Sequence, residues 1–223
     1  LAGGLIAARA QHREPMLGAH GDAAPMAHGD ATPVAAPGHD ALRTLLVTDA
    51  ACDLPEAWLA ARRVLVLPLR IRNSRGSQTD GRNGAADSER RQRFFDHELN
   101  RAEPDAQALP LSVVGTGDCV HERLLDDTDF VLEIAQASRR SNAYMNSLTA
   151  AQNLMLQHGR ARRQRGIARP FKMWVIDSTC ALNGQGVLVC EGARLLDDGA
   201  TVPRVVQQID GLRQQVRTLV VPA

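Results

Sequence analysis

Apolar and polar positions divide the chain into two unlike parts. Through residues 11–42 apolar residues recur at neither strand nor helix spacing, and Ala, Gly, Pro, His and Asp dominate. From Leu45 onward, short apolar runs alternate with helically spaced ones. Leu45, Leu46, Val47 and Thr48 predict a buried strand, Trp58 and Leu59 lie on a following helix, and residues 64–71 (VLVLPLRI) predict a second apolar strand. Strand, helix and strand in that order predict a βαβ unit with a parallel sheet. Residues 72–88 are polar and glycine-rich and read as a surface loop. Ser88 then precedes an amphipathic helix with Phe94, Phe95 and Leu99 facing inward. Residues 108–118 lead into a short helix at residues 121–125.

The stretch at residues 131–154 (VLEIAQASRRSNAYMNSLTAAQNL) organises the rest. Residues 130–135 read as a strand, residues 137–143 as a polar corner, and Tyr144, Leu148, Ala151 and Met155 as one face of a helix. Residues 157–172 carry six basic residues, read as a solvated helix end and loop or as a grip on a phosphate. Residues 173–176 (MWVI) predict another strand ending in Asp177. Gly184, Gln185 and Gly186 open a helix with an apolar stripe of Val187, Leu188, Cys190, Leu195 and Leu196, capped by Asp198 and Gly199. A helix over residues 202–216 and a strand starting at Leu219 complete the pattern.

A strand that enters a helix through small hydroxyl and amide residues leaves backbone N–H donors at the positive end of the helix dipole. The corner at residues 137–143 therefore has the chemistry of an anion pocket. Gly115, Thr116 and Gly117 offer a weaker version of the same feature. Asp49 and Asp53 follow the first strand, where open α/β sheets bind ligands. Helix capping and turn formation account for the same two residues equally well.

Composition narrows the function classes. The chain has 223 residues and 44% hydrophobic content, enough for a substantial core. A net charge of +1 and 3% aromatics argue against nucleic acid as a partner. No apolar run reaches the roughly 18 residues that span a bilayer, so no stable membrane insertion is expected. Cys52, Cys119, Cys180 and Cys190 form no CxxC pair and read as reduced thiols of a cytoplasmic protein. The apolar start at residues 1–10 is broken by Arg9, lacks a basic leader and shows no export signal; beginning on Leu1, it reads as a processing boundary. His20, His28 and His39 with neighbouring aspartates are a metal-site alternative to a solvated arm, but neither metal nor cofactor is expected.

Val47-Thr48-Asp49-Ala50-Ala51-Cys52-Asp53-Leu54-Pro55, followed by Val66-Leu67-Pro68-Leu69, resembles the opening of the DegV family, VTDSxxDLP and then a strand with a PL pair. Val175-Ile176-Asp177-Ser178 followed by Gly184-Gln185-Gly186 resembles the later DS and GxG segment of that family. The resemblance implies a two-lobed α/β protein that binds a long-chain fatty acid, its acyl chain buried in an apolar tunnel between the lobes. Hydroxyls would hold the carboxylate, and a fatty acid kinase would phosphorylate it. The family's SSxLSGT corner falls on residues 137–143, where Ser138 and Ser141 remain and Ala137, Asn142 and Ala143 stand for Ser, Gly and Thr. Ser112 and Thr116 occupy the neighbourhood of its TSQPS motif.

The expected organisation is a flexible arm at residues 1–43, an N-terminal α/β lobe at residues 44–170, and the start of a second, incomplete α/β lobe at residues 171–223. The fold expectation is α/β, a parallel sheet flanked by helices. The expected carboxylate ligands are Ser141, Ser138, Asn142, Thr116 and Ser112, with Asp49 and Asp53 in the strand-end loop. The expected role is fatty-acid binding without catalysis, the acid being a ligand rather than a cofactor. Two alternatives remain. One is a divergent interaction or regulatory module without lipid, motivated by Arg139 and Arg140 at the corner. The other is a magnesium-dependent phosphotransferase using Asp49, Asp53 and Asp177.

Overall fold

The computed structural model describes residues 43–73, 76–80, 89, 92–93, 107–124 and 127–219. The N-terminal arm up to residue 42, its three histidines, the helix expected to carry Phe94, Phe95 and Leu99, and Val220 and Val221 lie outside the described residues.

Four apolar runs form one parallel sheet. Strands β1 (Arg43–Asp49), β2 (Leu65–Leu67), β6 (Thr128–Ala135) and β7 (Lys172–Asp177) lie in the order β2-β1-β6-β7. Every residue of β6 is buried. Its alternate side chains serve two cores, as a sheet covered on both faces requires. Leu132 and Ile134 join Leu46, Val66 and Ile176 under Leu59 of α1 (Glu56–Ala61) and Leu188, Val189 and Ala193 of α4 (Asn183–Asp197). Val205 and Ile209 of α5 (Val202–Leu212) complete that layer. On the other face, Val131 joins Val47, Leu65 and Met173 under Val120 of α2 (Val113–His121) and Ala151 and Leu154 of α3 (Ala143–Gln164).

The expected single strand at residues 64–71 is two strands, divided at Pro68. Proline has no N–H for a ladder, and at Pro68 the chain passes to a second sheet. There β3 (Leu69–Asn73) pairs antiparallel with β4 (Gly76–Asp80) on one side and β5 (Gln107–Leu109) on the other. The polar GSQTD of β4, expected to be loop, is ordered by the backbone ladder to β3 rather than by an apolar pattern.

Other boundaries also differ. α2 starts at Val113 rather than near residue 121, because the Ser112 hydroxyl accepts the Gly115 N–H at 3.1 Å and caps the helix there. α5 ends at Leu212, and Leu219 is not in a strand. In α4, Val187 faces solvent, while Gly192 and Ala193 let the helix lie against β6. β7 pairs with β6 from Phe130↔Lys172 to Ala135↔Asp177, and α4 packs over β1 and β6.

The basic segment at residues 157–172 is not wholly solvated. Arg162 is buried, ion-paired to the fully buried Asp129, and donates to Thr128 O at 2.7 Å. This pair fastens the end of α3 to the start of β6.

Candidate functional site

β1, β6 and β7 are neighbours, so their carboxyl ends bring Asp49, Ala135 and Asp177 side by side. The corner after β6 is fastened to both flanking strands by carboxylates. Asp49 accepts the Ala51 N–H at 3.0 Å through Oδ1 and the Gln136 N–H at 2.7 Å through Oδ2. Asp177 accepts the Ser138 N–H at 3.2 Å and the Thr179 N–H at 2.9 Å through Oδ1, and the Ser138 hydroxyl at 2.6 Å through Oδ2. Two backbone bonds add to the clamp: Ala137 N–H to Cys180 O at 2.9 Å, and Ser178 N–H to Ala135 O at 3.1 Å. Hydrogen bonds to a carboxylate are shorter and stronger than neutral ones, so the corner is a rigid feature.

On this corner the expected ligands fall into two groups. Ser138 faces the β7 side, and its proton is committed to Asp177. Ser141 and Asn142 lie at the start of α3. The Ser141 hydroxyl accepts the Ala143 N–H at 3.1 Å, a bond that leaves its own proton available to donate. Asn142 is exposed and makes no side-chain capping bond. Asn146, which the sequence did not single out, donates through Nδ2 to Leu111 O at 2.7 Å and draws Ser112 toward the first turn of α3. Gly115, Thr116 and Gly117 are inside α2 instead of at its start, and Thr116 is buried.

Asp49 and Asp53 are not brought together. Asp49 is buried in the turn, whereas Asp53 is exposed on a cavity of about 590 Å³ with Leu54, Val187, Cys190 and Arg194. Neither caps α1, whose N-cap is Pro55 without a side-chain bond. Among the described residues, no group of three or more His, Cys, Asp and Glu is placed to hold a metal ion. The four cysteines are free thiols, and burial pushes those of Cys119, Cys180 and Cys190 up, away from the nucleophilic thiolate.

A buried polar layer supports the corner from below. Thr48 Oγ1 donates to Ile134 O at 3.0 Å, and Gln185 Nε2 donates to Thr48 Oγ1 at 3.0 Å and Ile134 O at 3.2 Å. Glu133 is fully buried on the opposite face and accepts the Ser147 hydroxyl at 2.6 Å. Burial pushes its carboxyl up to about 8, opposed by the Ser147 bond and reinforced by the charge of Asp49. At neutral pH it is therefore protonated and adds no negative charge beneath the corner. Its signal in the sequence is one acidic residue inside the apolar run at residues 130–135.

The segment after β7 is conformationally demanding. Thr179 and Leu182 adopt φ of 56° and 55°, a region that disfavours side chains with a Cβ. A Cβ on Gly184 would overlap Thr218 Oγ1 and press on Cys180 Cβ at 3.1 Å. Gly184 thus admits the tail at residues 216–219, whose Thr218 hydroxyl donates to Ala181 O at 3.1 Å. Gly184→Ala is expected to lower stability by about 1–3 kcal/mol. The same substitution is expected to cost at least about 1 kcal/mol less in a Thr218→Ala background. Additive losses in a denaturant double-mutant cycle would show that Thr218 is not the obstacle. This segment, the corner and the tail enclose a cavity of about 730 Å³ lined by Ser138, Asp177 and Thr179, with Ser141, Asn142, Ser112 and Thr116 outside its lining.

The sequence profile described as "Uncharacterised protein, DegV family" matches residues 43–223. A DegV domain-containing protein of Xanthomonas axonopodis pv. citri is 27% identical over 181 residues, 81% of this chain and 56% of the relative. A solved Thermotoga maritima protein, reported to reveal fatty acid binding function, superposes with a TM-score of 0.63 at 18% identity, over 78% of this chain and 56% of that one. The Streptococcus pneumoniae fatty acid kinase B3 protein loaded with linoleic acid superposes with a TM-score of 0.55 at 15% identity, over 78% of this chain and 55% of that one. At these identities the structural likeness shows the fold. The chain spans about half the length of the curated relatives it matches. With the profile matched from β1 through α5, the chain belongs to the DegV family.

Proposed function

We propose that this chain binds a long-chain fatty acid, its carboxylate at the start of α3 and its acyl chain along the apolar first turns of α2 and α3, and that it presents the acid to a fatty acid kinase. The observation that carries this reading is the Ser141 hydroxyl, held on the clamped corner with its proton free to donate. Asn142 and Ser112 supply the neighbouring polar groups, whereas Ser138, whose proton is given to Asp177, and the buried Thr116 are not part of this carboxylate site. Val114 and Met145, exposed by 71% and 55%, stand on those two first turns, next to the polar corner. Exposed apolar side chains beside a few fixed donors match an amphiphile with one charged end. Each methylene buried would contribute about 0.8 kcal/mol, and the donors would orient the head. The fatty acid and kinase named for the Thermotoga and Streptococcus proteins support the choice of ligand and partner.

The test is native mass spectrometry of the purified protein together with thermal shift on adding oleate. Retained lipid or an oleate-dependent rise in Tm is expected. Ser141→Ala is expected to weaken oleate binding about tenfold, the loss of one hydrogen bond to a charged group. No retained lipid and no shift would end the proposal for this chain.

A further inference from the structure

The arginines around the cavity of about 730 Å³ have no role in the acyl site. Arg139, Arg140, Arg213 and Arg217 all line it, against the single carboxylate Asp177. That carboxylate is occupied by two N–H donors and one hydroxyl from its own corner. Arg213 is oriented by Asp177 O at 2.5 Å and pairs with Asp210 at 3.0 Å. Arg217 is oriented by Gln214 O at 2.8 Å and Val216 O at 2.9 Å. Carbonyl oxygens fix a guanidinium without cancelling its charge. Arg139 and Arg140 are exposed on the corner, and no ion pair or hydrogen bond of their side chains is found among the described residues. Four guanidiniums therefore face one concavity against one carboxylate, and Arg139, Arg140 and Arg217 make no ion pair among the described residues, in a protein whose net charge is only +1.

We infer that this cavity is an anion site for a small organic phosphate ester, distinct from the fatty-acid carboxylate site. Guanidinium forks match phosphate oxygens in pairs. The volume is that of a site for a small organic molecule rather than a bare phosphate ion. An empty site of this kind carries like-charge repulsion that a bound dianion relieves, which gives the proposal a signature of opposite signs with and without ligand.

Inorganic phosphate, pyrophosphate and AMP are the probes, read by thermal shift and calorimetry against sodium chloride of matched ionic strength. Pyrophosphate and AMP are expected to raise Tm beyond the salt control, and AMP to bind more tightly than inorganic phosphate. In R139A/R140A the ligand-free Tm is expected to be equal or higher, pyrophosphate affinity to fall at least tenfold, and the oleate response to be unchanged. A pyrophosphate shift no larger than that of sodium chloride, or one that persists in the double variant, overturns the site. Phosphate binding as tight as AMP overturns the ester assignment. Loss of the oleate response together with the pyrophosphate response overturns the separation of the two sites. Failure of oleate to bind the wild type leaves the phosphate result standing independently.

Discussion

Arg162→Ala is expected to lower folding stability by about 3–5 kcal/mol, read as a fall in urea midpoint at unchanged slope. Asp129 is fully buried near the start of strand β6, and Arg162 is its closest cation among the described residues. Arg169 Nε, at 3.4 Å, is a second but half-exposed partner. Truncating Arg162 strands a carboxylate in the interior and also releases Thr128 O, which it binds at 2.7 Å. The size of the loss reflects that stranded charge more than the net worth of the pair. Replacing both members in Arg162→Met with Asp129→Leu is accordingly expected to recover most of it. A single-variant loss below about 1 kcal/mol would mean that Arg169 or water compensates Asp129 fully.

The second large effect is a pH dependence centred on Glu133. Its folded-state carboxyl titrates near 8, raised from 4.5 chiefly by burial. Between those values the folded protein holds a proton that the unfolded chain has released. This contribution to stability is complete below about 4.5 and is lost as pH rises through about 8. The slope it adds approaches a fall of about 1.4 kcal/mol per pH unit within the window. Glu133→Gln keeps the shape and an acceptor for Ser147 but cannot ionise. The difference between the two stability curves isolates this group, since other carboxylates titrate in both proteins. The variant is expected to gain on the wild type steadily from pH 5 towards pH 8, to level off above that, and to be the more stable above 8. Parallel curves over that range would show that Glu133 titrates normally.

Much of the parallel sheet was legible because its strands are short apolar runs bounded by turns, and residues 130–135 and 173–176 pair as their pattern predicts. Pro68 broke the same logic, since an apolar run shows burial but not which sheet buries each half. β4 was illegible for the opposite reason: GSQTD has no apolar period, and its order comes from the β3 ladder. At the site, the polar corner and its serines could be read from hydroxyl and amide residues between a strand and a helix. Their division between two sides of the corner could not, because it depends on Asp177, 39 positions away from Ser138, capturing that hydroxyl. Arg162 looked like one more basic residue in a charged run. What distinguishes it is Asp129 across the fold, a pairing visible only once α3 lies over β6.

The two-carboxylate clamp also bears on the kinetics of recognition. A loop that must order around its ligand slows capture and gives back affinity as lost conformational freedom. Here Gln136 and Ser138 are held from opposite sides by Asp49 and Asp177 before any ligand arrives. Capture at such a corner is limited by encounter and by shedding water from donors already in place. On the proposed fatty-acid reading, differences among ligands that share a head group lie in how slowly they leave, so a longer apolar tail is expected to lengthen residence without hastening arrival.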